Sequence, residues 1–231
     1  MPSEVKRQAE AGRATSGYLI EYEETRVVLD LGYGTLPRLL THCPDADVDA
    51  VVITHEHPDH CVDLSALYRL LYYTGRRTAL YCPPGVLDRI GQLEPRDDLR
   101  DAFDMHELPG DHDIGPLRLT SVALPHHVPN AGVRLAAPEA TVAYTGDTGP
   151  DPALATLGAD ADLYIMEATG KDSRYLLTAG EAGRWAARAG ARRLMLTHFW
   201  PGSDRAAAAA AARAEYAGEI VVATEDLRVR W

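Results

Sequence analysis

The segment Val51–Asp63, VVITHEHPDHCVD, carries the densest chemistry in the chain. An apolar run leads into Thr54, and His55, Glu56, His57, Pro58, Asp59 and His60 follow directly. Residues two apart on an extended segment point the same way, so His55 and His57 can share one metal ion. Asp59 and His60 fall where the chain turns into a helix, and their side chains can diverge toward a second ion. Imidazole and carboxylate ligands suit zinc, and iron or manganese where carboxylates dominate. A lone histidine usually has a packing explanation; three with an aspartate at the end of one strand do not. His42, His106 and His112 lie outside this grouping and read as ordinary surface or loop residues.

The elements that must hold the cluster follow from periodicity. Short β-type runs cover Tyr18–Tyr22, Arg26–Leu31, Ala50–Thr54, Leu117–Leu124, Thr141–Thr145, Leu163–Met166, Leu194–Thr197 and Ile220–Thr224. Several are continuous apolar stretches, such as AVVIT and RLMLT, as in strands covered on both faces. Leu64, Leu67, Tyr68, Leu71 and Tyr72 follow the rhythm of an amphipathic helix that Gly75 can end. Glu181–Ala189 and Arg205–Ala217 read as later helices, with Gly190 and Gly218 as their stops. The alanine run within the second predicts a surface helix of high intrinsic propensity. No repeat or long linker divides the chain, so one layered α/β domain over residues 1–231 is expected.

Composition narrows the partners. Hydrophobic residues make up 46% and charged residues 25%, ordinary for a globular chain with a real core. Acidic residues exceed basic ones by 34 to 23, a formal charge of −11. That balance argues against a nucleic-acid polymer, whose phosphates need clustered Lys and Arg; it leaves room for a small anion held by metal. Cys43, Cys61 and Cys82 show no CxxC spacing, which fits a reducing compartment. The polar N-terminus lacks a signal-peptide core, and no run approaches the ~18–20 apolar residues of a membrane span. A soluble, cytoplasmic protein acting on a small-molecule substrate is the expectation.

His55 to His60 fits HxHxDH, and with it the chain resembles the metallo-β-lactamase superfamily. Further matches follow in order: Asp30 in LDLG, His126 in HHVPNAGVR, Asp147 in YTGDTG and His198 in LTHF. The resemblance implies a four-layer αββα sandwich holding two divalent metal ions, zinc first, with manganese or iron as alternatives. In that scheme His55, His57 and His126 hold one ion, Asp59, His60 and His198 the other, and Asp147 bridges them. A hydroxide formed between the ions attacks the substrate, and Asp59 carries the proton. Asp30 orients a ligand histidine. His126 and His127 compete for one ligand position; the spacing H-x-V-P-x-x-G-x-R favours His126 and leaves His127 at the rim.

Met166-Glu167-Ala168-Thr169 resembles the HEAT-type motif of ribonuclease Z and related phosphodiesterases, making Glu167 a catalytic candidate. Two departures stand out. His126 and Asp147 lie only 21 positions apart, too close for the protruding arm of transfer-RNA-processing members, so transfer RNA is not the expected substrate. Those relatives also use a further histidine downstream of the glutamate, yet none lies between His127 and His198, and Leu176 takes its place. Glu167, Tyr175 and Lys171 are the candidate replacements. Where relatives open with a strand and a glycine-rich turn, this chain has the polar stretch Glu4–Ala14, so the first strand is expected to be missing or residues 1–14 disordered. The expected substrate is a small phosphodiester such as a cyclic nucleotide; the alternative is a carboxylic ester, lactone or thioester. A cationic rim would favour the first, and an aromatic rim of Tyr72, Tyr73, Phe199 and Trp200 the second. A catalytically silent metal-binding protein is a third reading. The resemblance is also compatible with a homodimer.

Overall fold

The computed structural model describes residues 13–94, 98–170 and 173–230. A first sheet contains β1 (Tyr18–Tyr22), β2 (Thr25–Leu29), β3 (Ala50–Val52), β4 (Thr78–Cys82) and β5 (Phe103–Glu107), side by side in chain order. β1 and β2 form an antiparallel hairpin, and the remaining pairs are parallel. The parallel crossovers carry α1 (Thr35–His42), then α2 (Pro58–Cys61) with α3 (Asp63–Thr74), then α4 (Pro84–Gly91). A second sheet contains β6 (Asp111–Ile114), β7 (Leu117–Leu124), β8 (Asn130–Ala136), β9 (Thr141–Tyr144), β10 (Leu163–Glu167), β11 (Arg193–Thr197) and β12 (Glu219–Val222). β6 to β9 run as an antiparallel meander; β9 to β12 are parallel, joined through α5 (Ala153–Leu157), α6 (Ala179–Ala189) and α7 (Arg205–Arg213).

Three apolar layers hold these elements together. Val28, Val51 and Leu80 face α1, α3 and α4; Val27, Ala50 and Val52 face the other sheet through Val133, Tyr144 and Ile165. On the far side Ala143, Tyr164 and Leu196 meet α5, α6 and α7. Ala50, Val51 and Val52 have no exposed surface, which explains the unbroken apolar run of β3. The result is a mixed α/β sandwich of two sheets between two helical layers, the architecture expected above.

Some boundaries differ from the periodic reading. The helix ended by Gly75 is split, α2 and α3 meeting at Val62, and Gly75 takes the left-handed cap at φ 68°. Gly190 caps α6 in the same way. Gly218 does not stop α7, which ends at Arg213; the chain then turns so that the Tyr216 hydroxyl donates to the Ala191 carbonyl. Among the described residues the first sheet starts at β1; the stretch assigned to a lost first strand lies outside them except for Arg13 and Ala14. No helix among the described residues is long and apolar enough to cross a membrane.

Candidate metal centre

The fold gathers one end of both sheets. β3 runs into Thr54 and the His55–His60 turn, and β2 runs into Asp30. β9 leads to Asp147 and β11 to His198, while His126 lies in the loop between β7 and β8. Asp30 and His198 both adopt left-handed backbone, φ 58° and 55°, unusual for non-glycine residues and frequent at functional turns.

Seven side chains converge there in two groups. His55, His57, His126 and Asp147 bring one potential ligand atom each within 4.8 Å of one another, and Asp59, His60 and His198 do the same. His57 Nδ1 lies 3.0 Å from His55 Nε2 and 3.1 Å from His126 Nε2. Asp147 touches both groups: Oδ1 is 3.3 Å from His60 Nε2, and Oδ2 is 3.3 Å from His198 Nε2 and 3.9 Å from His126 Nε2. His198 Nε2 also lies 3.3 Å from Asp59 Oδ2. Of the two histidines competing for one position, His126 is inside the cluster and His127 is not.

Other groups aim the ligand atoms. His60 Nδ1 meets Asp30 Oδ2 at 2.7 Å, which turns Nε2 toward Asp147. Asp30 also accepts from the Thr54 amide at 2.7 Å and from the Tyr144 hydroxyl at 2.7 Å. His126 Nδ1 meets the Tyr175 carbonyl at 3.0 Å, and His55 Nδ1 the Thr54 hydroxyl at 3.0 Å. The orienting roles of Thr54 and Tyr144 were not legible in the sequence beyond a polar residue closing an apolar strand, and Tyr175, a candidate catalytic group by resemblance, contributes here through its backbone carbonyl.

The donor set fits divalent cations. His60 Nε2 and Asp147 Oδ1 are buried and face each other at 3.3 Å without making a hydrogen bond, and such atoms are costly unless something else satisfies them. Without an ion, charge is exchanged among the residues. Burial alone would lower His60, but Asp147 and Asp30 hold it well above the usual imidazole range. Burial would raise Asp147, but His198 and His60 hold it well below the carboxylate range. Burial keeps His55 well below its ordinary value, and lowers His57 and His126 as well. Asp59 and Asp147 are thus held as carboxylates and His55, His57 and His126 as neutral imidazoles, the form metals bind, while His60 must give up a proton to do so.

Glu167 has no exposed surface and sits behind Asp147, accepting a hydrogen bond from the Thr148 amide. It does not line the cavity over the cluster. Lys171 lies outside the described residues. The Tyr175 ring packs on His127 at 4.3 Å between centroids, and Arg174 also lies over that ring, 4.5 Å from its centroid. His57, Asp59, His126, Asp147 and His198 open onto a cavity of about 1560 Å³. Phe199, Trp200, His127 and Leu176 border it, and Tyr18, Ile20 and Met195 line it deeper between the sheets. Tyr72 and Tyr73, expected at this rim, are instead exposed at the far end of α3 and do not line the cavity.

Residues 9–199 match the family described as a beta-lactamase superfamily domain. The chain is 34% identical to an uncharacterized protein of Mycobacterium tuberculosis over 235 residues, 93% of this chain and 86% of that protein. It is 29% identical to a ribonuclease Z of Kineococcus radiotolerans, covering 91% of this chain and 87% of that enzyme. The crystal structure of the metallo-beta-lactamase fold protein YhfI from Bacillus subtilis superposes with a TM-score of 0.85 at 25% identity, covering 95% of this chain and 92% of that one. The chain belongs to the beta-lactamase superfamily and is a hydrolase of the metallo-β-lactamase fold.

Proposed function

We propose that this chain is a dinuclear metal-dependent hydrolase of the cytoplasm acting on a small phosphodiester. His55, His57 and His126 would hold one ion, Asp59, His60 and His198 the other, and Asp147 would bridge, with zinc favoured and manganese or iron as alternatives. The observation that carries this is Asp147, whose two oxygens face both groups at 3.3 Å. Bound ions would supply Lewis acidity and an activated water. The chain's own residues do the rest. Asp30 and the Tyr175 carbonyl fix the rings of His60 and His126. Asp59, partly exposed and facing the cavity, is placed to take a proton from the attacking side.

The phosphodiester assignment draws on the ribonuclease Z relative. A small substrate is supported by the interval between His126 and Asp147, which β8, β9 and the short turn joining them fill without any protruding arm. An ester, lactone or thioester is the second reading, favoured by the apolar depth of the cavity at Tyr18, Ile20 and Met195. The rim is mixed: Arg205 stacks over Phe199 at 5.3 Å, while Arg38 is paired with Asp226 at 2.7 Å.

The test is hydrolysis of bis-p-nitrophenyl phosphate and p-nitrophenyl acetate by zinc- and manganese-loaded protein. Asp147→Ala should lose bound metal and fall to background on whichever substrate turns over. Full metal content and full activity in Asp147→Ala would sink the assignment. Ester turnover alone would move the substrate class to the second reading.

A further inference from the structure

The candidate ligands come from two different sheets. Ends of the first sheet present His55, His57, Asp59 and His60, and the second sheet's side presents His126, Asp147 and His198. The geometry of the centre therefore depends on how the sheets are seated at this end. The layer between them is apolar, from Val27 and Val52 to Val133 and Ile165. Hydrophobic burial is non-directional and sets no ångström-level position by itself.

Two tyrosines break that apolar layer directly beneath the cluster. Tyr18, on β1 of the first sheet, hydrogen-bonds through its hydroxyl to Thr197 Oγ1 at the end of β11 in the second. Tyr144, on β9 of the second sheet, donates its hydroxyl to Asp30 Oδ2, 2.7 Å away at the end of β2 in the first. The two ties run in opposite directions, and the rings meet edge to face with centroids 5.1 Å apart and planes at 61°. Each tie ends at or beside a left-handed residue: Asp30 itself, and His198 directly after Thr197. Such conformations cost about 1–3 kcal/mol and persist only where surroundings hold them.

We propose that Tyr18 and Tyr144 form a crossed clasp that seats the two sheets at their site-facing ends, making both tyrosines positioning residues for the candidate centre. Tyr144 acts through Asp30 on His60, and Tyr18 acts through Thr197 on His198. For its effect on metal binding the clasp rests on the reading above; the clasp itself belongs equally to the metal-free protein.

Tyr18→Phe and Tyr144→Phe keep the ring packing and remove only the ties. In metal-free protein, amide exchange should quicken about tenfold in Tyr18→Phe at Ala168, whose N–H donates to the Thr197 carbonyl at 2.8 Å, and across residues 196–199. In loaded protein, affinity for the weaker of two ions should fall about tenfold, with a changed visible spectrum of the cobalt-substituted form. Thr197→Ser should behave as wild type and Thr197→Val like Tyr18→Phe. Unchanged exchange and an unchanged cobalt spectrum, with only a lower melting temperature, would make the tyrosines plain packing residues and overturn the clasp. If the wild type binds no ion, the metal reading fails while the exchange comparison still decides for or against the clasp.

Discussion

Two carboxyl groups close together in a protein interior can ionise together only if cations are near both. Asp147 has His198 and His60 beside it. Glu167 has only the Thr148 amide and threonine and backbone contacts, and burial together with the Asp147 charge holds it well above the usual carboxylate range. A raised folded-state value stabilises fully below the unfolded value, and the benefit is lost as pH rises toward the folded one. Glu167→Gln keeps the acceptor for Thr148 without the charge. In chelator-treated protein its urea stability relative to wild type should grow as pH rises from about 5 toward neutrality, by up to about 1.4 kcal/mol per pH unit. A difference flat across that range would mean that Glu167 ionises normally. The thiols offer a simpler check: burial pushes Cys61 and Cys82 up to about 12 and also raises Cys43. All three are buried and unpaired with one another, so a thiol reagent at pH 8 should find none in native protein and all three after unfolding.

At the scale of elements, the His55–His60 turn is braced by backbone from the segment after β2 and from the residues just before β1. Leu31 N donates to the His60 carbonyl at 2.7 Å, and Ser16 N to the Asp59 carbonyl at 3.2 Å. Gly32 packs so closely that a Cβ there would lie 1.9 Å from the Asp59 carbonyl oxygen. Gly32→Ala must push Asp59 and His60 away from β2. It should cost roughly 1–3 kcal/mol as an overpacked site and reduce the bound metal, measured by denaturation and by metal analysis on the same sample. Wild-type stability with full metal content would show that the turn is not held there. Gly32 also shows the limit of what the chain's pattern revealed. The HxHxDH turn was legible because its ligands are local and its spacing follows strand geometry. Asp147 and His198 were legible because each closes a continuous apolar strand. Polar or mixed segments such as β5, β6 and β8 and the short helices α1 and α4 carried no comparable pattern. Periodicity found the buried Leu64, Leu67, Tyr68 and Leu71 of α3 but counted the exposed Tyr72 with them, and it could not tell which end of the helix approaches the site.

For the whole molecule, the site joins halves that contribute unequally. The first sheet's side presents four candidate ligands and the second sheet's side three, across an interface otherwise filled by apolar side chains. Ions bound between them would bind the folded state and not the separated halves, so metal binding should appear as global stability. At an ion concentration a hundred times the dissociation constant the gain is about 2.7 kcal/mol. For a chain of this size each kcal/mol moves the midpoint by about 2–4 °C. Adding zinc to chelator-stripped protein should therefore raise the melting temperature by roughly 5–10 °C, and Asp147→Ala should lose most of that rise because it removes the residue facing both groups. The clasp adds a second expectation to the same titration. Tyr18→Phe/Tyr144→Phe should keep a zinc-dependent rise but reach it only at higher zinc, since the ligands remain while their seating loosens. A zinc response identical in wild type and the double variant would mean that the apolar layer alone seats the two sheets.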